Sequence, residues 1–246
     1  MHRTAGFLLV SGLALALGAC DPTFVDPGFA LATDYYPLET GKSVTYRVDS
    51  ILYYETITND TISWDIRETI GTPYTGINGL QTWPVERYRS EPGLSNWELV
   101  DVWAVVYENS RLERTEQNLR FIRLISPVAE GSTWQGHVYL GDLSEIPVAE
   151  QCNNLSFLEG WTYTYEEVGV PATVGDMNFD ETVLVRQTGE QNLIEHNESE
   201  ERYAKSVGMV YRYFRHFTTQ TICPECPWED NVECGYSVTM TVIDHN

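Results

Sequence analysis

The feature that most constrains the fold is strict alternation of apolar and polar residues, which recurs along the chain. It is clearest at 236–242, where Tyr236, Val238, Met240 and Val242 alternate with polar residues, and it returns at 62–66 and 161–165. Because successive side chains of a strand point to opposite faces, this pattern predicts strands with one buried face and one wet face. Runs rich in Val, Thr, Tyr and Trp predict further strands. They lie at 43–55, 80–88, 97–107, 181–187 and 203–217.

With Gly, Pro and Asn turns between these runs, we predict about ten strands and few or no helices. The predicted fold class is all-β, a strongly curved antiparallel sheet or an open barrel. Only the segment 111–123 competes as a helix, because Leu112, Leu119 and Ile122 lie near helical spacing. Gln117-Asn118 in its middle would serve equally well as a hairpin turn, so the sequence leaves this segment undecided.

An internal echo supports a sheet built from two similar sets of strands. The segments 37–44 and 127–134 both run proline, apolar, two variable residues, glycine, one variable residue, hydroxyl, apolar. In each, we expect the proline to end the preceding strand, the glycine to permit a tight turn, and the next strand to begin at the hydroxyl residue. Either a duplication or a repeated corner would produce this pattern.

The amino terminus has the pattern of an export signal. His2 and Arg3 precede an apolar run at 6–17, and residues 1–19 contain no acidic residue. The apolar run is shorter than the roughly 20 residues that a bilayer-spanning helix needs. The segment Leu17-Gly18-Ala19-Cys20 resembles the bacterial lipobox, which implies cleavage before Cys20 and lipid attached to its thiol. Ordinary cleavage after residue 19, with a free cysteine at the new terminus, is the alternative.

Three ranges are therefore predicted: a lipoprotein signal peptide at 1–19, a lipidated tether at 20–34 and a single β-rich domain at 35–246. The tether range holds two Pro and one Gly with little periodicity. About 200 residues are enough for one substantial core. The predicted location is the bacterial cell envelope, where the lipid on Cys20 makes the membrane a partner. Asp21 is a retention signal for the inner membrane in some bacteria only, so the choice of membrane stays open.

The charge of the chain excludes one class of partner. The formal net charge is −21, and removal of residues 1–19 takes away Arg3 but no acid, giving −22. Nucleic acids and anionic headgroups bind proteins through Lys and Arg, and no strongly basic patch exists in the sequence. No nucleic-acid partner is predicted, and the acidity is interpreted as a solvated, self-repelling surface.

Three segments resemble uncharacterised, secreted or lipid-anchored β-rich bacterial lipoproteins of the Bacteroidetes type. They are Tyr35-Tyr36-Pro37-Leu38-Glu39-Thr40-Gly41, Leu124-Ile125-Ser126-Pro127 with Gly131 and Trp134, and Tyr203-Ala204-Lys205-Ser206-Val207-Gly208-Met209-Val210-Tyr211. The resemblance implies an envelope β-domain and brings no catalytic residue. Ser206 stands where such proteins more often have glycine, so we expect a less tight turn there.

Four cysteines remain after the anchor: Cys152, Cys223, Cys226 and Cys234. In an exported chain an even number favours disulfides, and the preferred pairing joins Cys152 to one of the other three and closes a short loop with the remaining two. Which ones pair is left open. The Cys-Pro-Glu-Cys segment also fits a redox motif, but no helix pattern follows it. A zinc site lacks the second pair of closely spaced cysteines.

Other candidate chemistry is weak, and no catalytic residue, metal site or cofactor is predicted. The segment 176–180 begins like a calcium loop, but Glu181 and Gln187 occupy the positions that need glycine and an acid, so a polar turn is preferred. The acidic run 195–201 lacks the spacing of a zinc protease and is interpreted as a solvated hairpin. No nucleophile motif is present, and no pattern marks His137, His196, His216 or His245 as a base.

The seven Trp and fifteen Tyr lie mostly at strand positions, where aromatic side chains fill the core of a sheet. If the sheet curves without a covering layer, the same apolar face becomes a groove, as in lipocalins by fold-level analogy. The leading interpretation is a non-enzymatic, lipid-anchored module that binds an apolar ligand or another envelope protein. The alternatives are an envelope enzyme with an unrecognised active site and a structural accessory of an envelope assembly.

Overall fold

A computed structural model describes residues 28–54, 57–146 and 154–246. The all-β prediction is confirmed, with only two short helices among the described residues. The helices are α1 (Ala32–Tyr35) and α2 (Trp228–Asn231), and two single 3₁₀ turns lie at Leu143–Glu145 and Leu155–Leu158. The strands are β1 (Ser43–Tyr54), β2 (Ile57–Ile70), β3 (Tyr74–Thr75), β4 (Gln81–Ser90), β5 (Glu98–Glu108), β6 (Arg111–Glu116), β7 (Leu119–Ile125), β8 (Thr133–Trp134), β9 (Tyr163–Val174), β10 (Met177–Gln191), β11 (Glu195–Ala204), β12 (Gly208–Thr218) and β13 (Cys234–His245). No helix in the described part is long and apolar enough to cross a membrane.

The strands form one antiparallel sheet whose order is β7-β6-β5-β4-β2-β1-β13-β12-β11-β10-β9-β8, with β3 paired to β4. The sheet therefore consists of two meanders, one from each half of the chain, joined where β1 pairs with β13. The count of thirteen strands is slightly higher than predicted, partly because β3 and β8 have only two residues each. The two-meander organisation agrees with the expectation drawn from the internal echo.

The sheet curves into a nearly closed barrel, and its two edges meet without a regular ladder. The Ile122 N–H donates to the Gly136 carbonyl over 2.7 Å, and the Trp134 indole N–H donates to the Ile122 carbonyl over 2.9 Å. The Tyr165 hydroxyl accepts from the Ile125 N–H and donates to the Ile125 carbonyl, both over 2.7 Å. One side chain thus satisfies both backbone groups of a residue that an edge strand would otherwise leave unpaired.

The undecided segment 111–123 is a hairpin of β6 and β7. Gln117 and Asn118 both have positive φ, 48° and 69°. Two consecutive left-handed residues define the turn whose twist matches that of the flanking strands. The hairpin turn, rather than the spacing of the leucines, decides the conformation of this segment.

The two echoed corners behave alike at their carboxyl-terminal ends. Gly41 and Gly131 have φ of 89° and 75°, which side chains adopt only with strain, and β1 and β8 begin two residues later at Ser43 and Thr133. Pro127 follows β7 as expected. What precedes Pro37 is α1 and not a strand, so that part of the prediction is wrong.

Two further corrections concern the second half of the sheet. The predicted run 203–217 is divided by a turn at 205–207 between β11 and β12. Ser206 adopts φ 63° there and donates its backbone N–H to the Asp34 carbonyl over 2.7 Å, so the turn is tight despite the absence of glycine. The acidic run 195–201 is not a solvated hairpin, because it lies in β11 inside the sheet and Glu201 is fully buried.

One end of the barrel is sealed by the segment around α1. Ala32, Tyr35 and Tyr36 are buried, and the Ala32 N–H donates to the Ser126 hydroxyl over 2.8 Å. The Tyr46 hydroxyl donates to the Met209 carbonyl over 2.8 Å at the same end. The packed structure therefore begins within 20–34, the range that the sequence analysis assigns to a tether.

We expect Tyr165→Phe to lower the free energy of unfolding by about 1–3 kcal/mol, because it leaves the Ile125 N–H and carbonyl without their partner while the ring still fills its site. Urea denaturation followed by tryptophan fluorescence measures this change. The control is Tyr88→Phe, which removes a hydroxyl that donates to the surface carboxylate of Glu86. Equal effects of the two substitutions would show that Tyr165 does not hold the barrel closed.

Candidate functional site

The end of the barrel opposite α1 contains a cavity of about 530 Å³. Its position follows from the elements that line it: Leu52 near the end of β1, Gln117 in the β6–β7 turn, and the 3₁₀ turn Leu155–Leu158. A second cavity of about 240 Å³ shares Arg212, Phe214 and Tyr236 with it. Cavities of this size are typical of small-molecule sites.

The wall of the larger cavity is mainly apolar and aromatic. Leu52, Trp103, Leu119, Phe121, Ile146, Leu155, Phe157, Leu158, Trp161, Tyr163, Phe214 and Tyr236 contribute to it. Phe157 stacks on His216 with ring centroids 4.0 Å apart and packs edge-on against Phe214 at 6.0 Å. The Asn154 side chain accepts the Ser156 N–H over 3.0 Å, and this cap positions the turn that carries Phe157. The aromatic residues that the sequence analysis placed in the core therefore line a space inside it.

Beneath the apolar wall lies a cluster of buried charged side chains that we call the ionic layer. It consists of Glu68, Arg87, Arg114, Glu116, Arg123, Glu201 and Arg212. Every member comes from a strand whose alternate residues face the barrel interior. The layer separates the packed α1 end from the cavity, with Glu116, Arg123 and Arg212 reaching the cavity surface.

Glu116 is the centre of the ionic layer. One of its oxygens accepts from the Nε of Arg114 and from the Nε of Arg123, both over 2.8 Å. Arg123 also donates to Glu201 over 3.2 Å, and Glu201 accepts from the Tyr203 hydroxyl over 2.6 Å. These contacts join β6, β7 and β11 across the interior of the barrel.

The remaining contacts extend the layer towards β2 and β4. Arg87 donates to Glu68 over 3.0 Å, and its guanidinium lies 3.6 Å above the ring of Trp103. Arg114 lies on the same ring at 4.9 Å and is 3.8 Å from Glu68. Stacking on an aromatic face replaces part of the hydration that these guanidinium groups lose on burial.

Two carboxylates of the layer, those of Glu116 and Glu201, are held in their charged form. Burial alone would raise the pKa of Glu201, but the nearby Arg123 and Arg212 outweigh it, so the pKa lies below its ordinary value of 4.5. Burial likewise opposes ionisation of Glu116, and Arg114, Arg123 and Arg212 lower its pKa far more. The charged layer is therefore intact at neutral pH.

Several hydrogen-bond donors at the cavity lack partners. The indole N–H of Trp161 and the Nε2 of Gln187 are buried and make no hydrogen bond with any described residue. Gln187 uses its oxygen, which accepts from the Ser199 hydroxyl over 2.6 Å. Burial raises the pKa of Tyr163 and that of Tyr236 to about 12 each, so both hydroxyls stay protonated at neutral pH. The polar groups of the wall are thus well suited to meet an acceptor.

The three described cysteines, Cys223, Cys226 and Cys234, are not among the residues that line this cavity. Cys223 and Cys226 form a disulfide, as expected for a short loop, and Cys234 is also disulfide-bonded. The one-turn α2 follows the Cys-Pro-Glu-Cys segment, so the expectation that no helix follows it is wrong. Cys20 and Cys152 lie outside the described residues.

The other sequence candidates do not converge. Of the four histidines outside residues 1–19, His196 and His216 lie on the neighbouring strands β11 and β12, and the described residues contain no group of three or more His, Cys, Asp and Glu that would hold a metal ion. Burial lowers the pKa of His216, whose Nδ1 lies 2.7 Å from the Asn197 side-chain oxygen. In the calcium-like segment a turn at 175–176 leads directly into β10, which agrees with the preferred polar turn.

The ionic layer was missed in the sequence analysis although its signal is present. Leu112, Arg114 and Glu116 share the period of two, and so do Ser199, Glu201 and Tyr203. Charged residues at positions in phase with buried apolar ones indicate an interior ion pair when both signs occur. Charge taken without this phase indicates solvent exposure, and for this reason the ionic layer is not predicted from the sequence.

The fold is a nearly closed antiparallel β-barrel with an internal cavity. No family model, no curated protein and no solved structure matches this chain.

We expect Glu201→Gln to lower the free energy of unfolding by about 3–5 kcal/mol at neutral pH, because it leaves the buried Arg123 and Arg212 short of a counter-charge. The control is Glu181→Gln at the exposed pair with Lys205, which should change stability by less than about 1 kcal/mol. Urea denaturation measures both.

The same layer predicts acid sensitivity. Since the pKa of Glu201 is lowered in the folded state, its contribution is present above 4.5, the ordinary value, and is lost as the pH falls further. Unfolding free energy measured from pH 7 to pH 3 should fall more steeply for the unaltered protein than for Glu201→Gln. Parallel curves would contradict this assignment.

Proposed function

We propose that this protein is a lipid-anchored, non-enzymatic component of the bacterial cell envelope that holds an apolar ligand inside its barrel. The observation that carries the proposal is the cavity of about 530 Å³ with its aromatic and aliphatic wall. An unfilled apolar space of this size costs stability, so a chain that maintains one gains most by filling it with a ligand. The lipobox at 17–20 and the resemblance to secreted lipoproteins support the envelope location.

The composition of the wall favours binding over catalysis. As far as the described residues form it, the lining of the cavity contains no His, Cys, Ser, Thr or Lys. The charged groups of the lining are the carboxylate of Glu116 and the guanidinium groups of Arg123 and Arg212. Both arginines contact Glu116 within the ionic layer. Nucleophilic and general-base mechanisms need a group that is free to attack or to take a proton. The cavity instead has an apolar wall, and the charged groups at its base are held by contacts with one another.

A second surface supports contact with another envelope protein. On β5, Val100 and Val102 occupy alternate positions out of phase with the buried Trp103, and each is more than half accessible to solvent. Neighbouring exposed apolar side chains on one strand are typical of protein contact sites. This contact would be additional to the ligand site, because it lies on the opposite face of the sheet from the cavity.

We expect Leu119→Trp to weaken binding of the neutral fluorophore N-phenyl-1-naphthylamine at least tenfold, because the larger ring occupies the cavity. The matched control is Val102→Trp, which adds the same ring on the outer face and should leave the affinity unchanged. Fluorescence titration measures the affinity, and native mass spectrometry measures the stoichiometry. If neither the fluorescence titration nor the native mass spectrum shows bound fluorophore, the proposal of an internal ligand is overturned.

We expect Cys20→Ser to abolish membrane attachment, because serine has no thiol to accept the lipid. Cell fractionation and detergent phase partition should move this variant from the membrane to the aqueous fraction. Cys223→Ser, which alters a different cysteine, should remain with the membrane. Retention of Cys20→Ser in the membrane fraction would contradict the anchor.

A further inference from the structure

The interior of the barrel carries an excess of positive charge. The ionic layer contains four arginines and three glutamates. The chain as a whole has a formal charge of −21, so this excess does not follow from composition. A buried charge without a counter-charge is costly, and a bound anion would remove that cost.

Arg212 is the arginine of the ionic layer that lies on the cavity without a hydrogen bond to a carboxylate of the described residues, whereas the two unpartnered Nη atoms of Arg114 lie away from the cavity lining. The nearest carboxylate contacts of Arg212 are 3.6 Å to Glu201 and 3.9 Å to Glu116, and it makes no hydrogen bond with any described residue. By contrast, Arg87, Arg114 and Arg123 each donate a hydrogen bond to a glutamate. Arg212 also lines both cavities, and its side chain keeps 21% of its surface accessible. Its guanidinium therefore has free donors that face the ligand space.

Two buried donors reinforce this preference. The Trp161 N–H and the Nε2 of Gln187 have no partner among the described residues, and both residues line the same cavity as Arg212. Glu116 is the one carboxylate on the lining formed by the described residues, and Arg114 and Arg123 already donate to it. Both donors use one oxygen of Glu116, and its second oxygen lies 3.9 Å from Arg212. The buried polar atoms of the lining that have no partner among the described residues are both donors, which suits an acceptor with a negative charge.

Resting on the proposed function, we infer that the ligand is an amphiphile with one carboxylate and an apolar tail, as in a fatty acid. The carboxylate binds Arg212 at the floor of the cavity, and the tail lies along Phe214, Phe157 and Leu155 towards the open end. A single excess positive charge matches a monoanion, and the planar guanidinium matches the two oxygens of a carboxylate.

The test compares decanoate, 1-decanol and decylamine, which share one tail and differ in headgroup charge. Isothermal titration calorimetry on the purified protein at neutral pH should show decanoate binding at least tenfold more tightly than 1-decanol, with decylamine weakest. Equal affinities for decanoate and 1-decanol would overturn the carboxylate assignment and leave the apolar site standing. Tighter binding of decylamine would overturn it as well. Binding of none of the three would overturn the internal ligand itself.

Substitutions in the cavity wall test whether the carboxylate of the ligand binds at Arg212. Arg212→Met should lower the affinity for decanoate at least tenfold and leave that for 1-decanol unchanged. Trp161→Phe, which removes an N–H that has no partner among the described residues, should reduce the preference for decanoate several-fold without loss of stability. The control is Arg215→Met on the outer face of the same strand, where Arg215 pairs with Glu229 at 3.2 Å. If Arg215→Met and Arg212→Met have the same effect, Arg212 does not bind the headgroup.

Discussion

The structure depends on the charge pairing inside the barrel. Transfer of a single charged group from water into this interior would cost several kcal/mol, and only close contact with the opposite charge offsets that cost. Glu116 and Glu201 remain ionised because Arg123 lies between them, and Arg123 is buried because both glutamates accept its hydrogen bonds. No one of the three is stable in this position without the others. Since they come from β6, β7 and β11, their pairing fixes the two halves of the sheet relative to each other.

Closure of the barrel, where the edges β7 and β8 meet, also depends on side chains that pair with otherwise unsatisfied groups. The edges β7 and β8 are too short and too irregular to pair fully, so the Tyr165 hydroxyl and the Trp134 indole N–H take over part of the backbone hydrogen bonding. Arg123 lies on β7 and reaches Glu201 on the far meander, which draws the edge inwards. The seam is thus held by side chains on its inner side and by backbone groups at its rim.

The sequence predicts much of this fold because alternation is a direct readout of which side chains face inward. Alternation predicts the strands around Trp64, Tyr163 and Met240, composition predicts the strand around Trp103, and the internal echo predicts the two-part organisation of the sheet. The same rule failed for β11, where Asn197, Ser199 and Glu201 occupy the inward positions and read as a solvated run. Their burial depends on partners far away in the chain, such as Arg123, and no local pattern reports such a partner. The sequence predicts an apolar groove only on the condition that no layer covers the curved sheet, because an aromatic residue at an inward position looks alike whether it meets a neighbour or an empty space.

The unequal filling of the two ends of the barrel connects stability with ligand binding. At the α1 end, side chains leave a space of only about 20 Å³ beside Tyr36 and Tyr46. At the other end the wall is equally apolar, yet the space remains, and the ionic layer forms its floor. Pairing offsets the cost of burying the layer, and Arg212 is the member that lies on the cavity without a hydrogen bond to a carboxylate of the described residues. A ligand that fills the space and supplies an acceptor to Arg212 would therefore stabilise the folded barrel, by an amount that grows with the logarithm of the ratio of ligand concentration to Kd. Ligand occupancy and fold stability are coupled through the same guanidinium group, since the residue that would bind the headgroup also belongs to the layer that holds the sheet together.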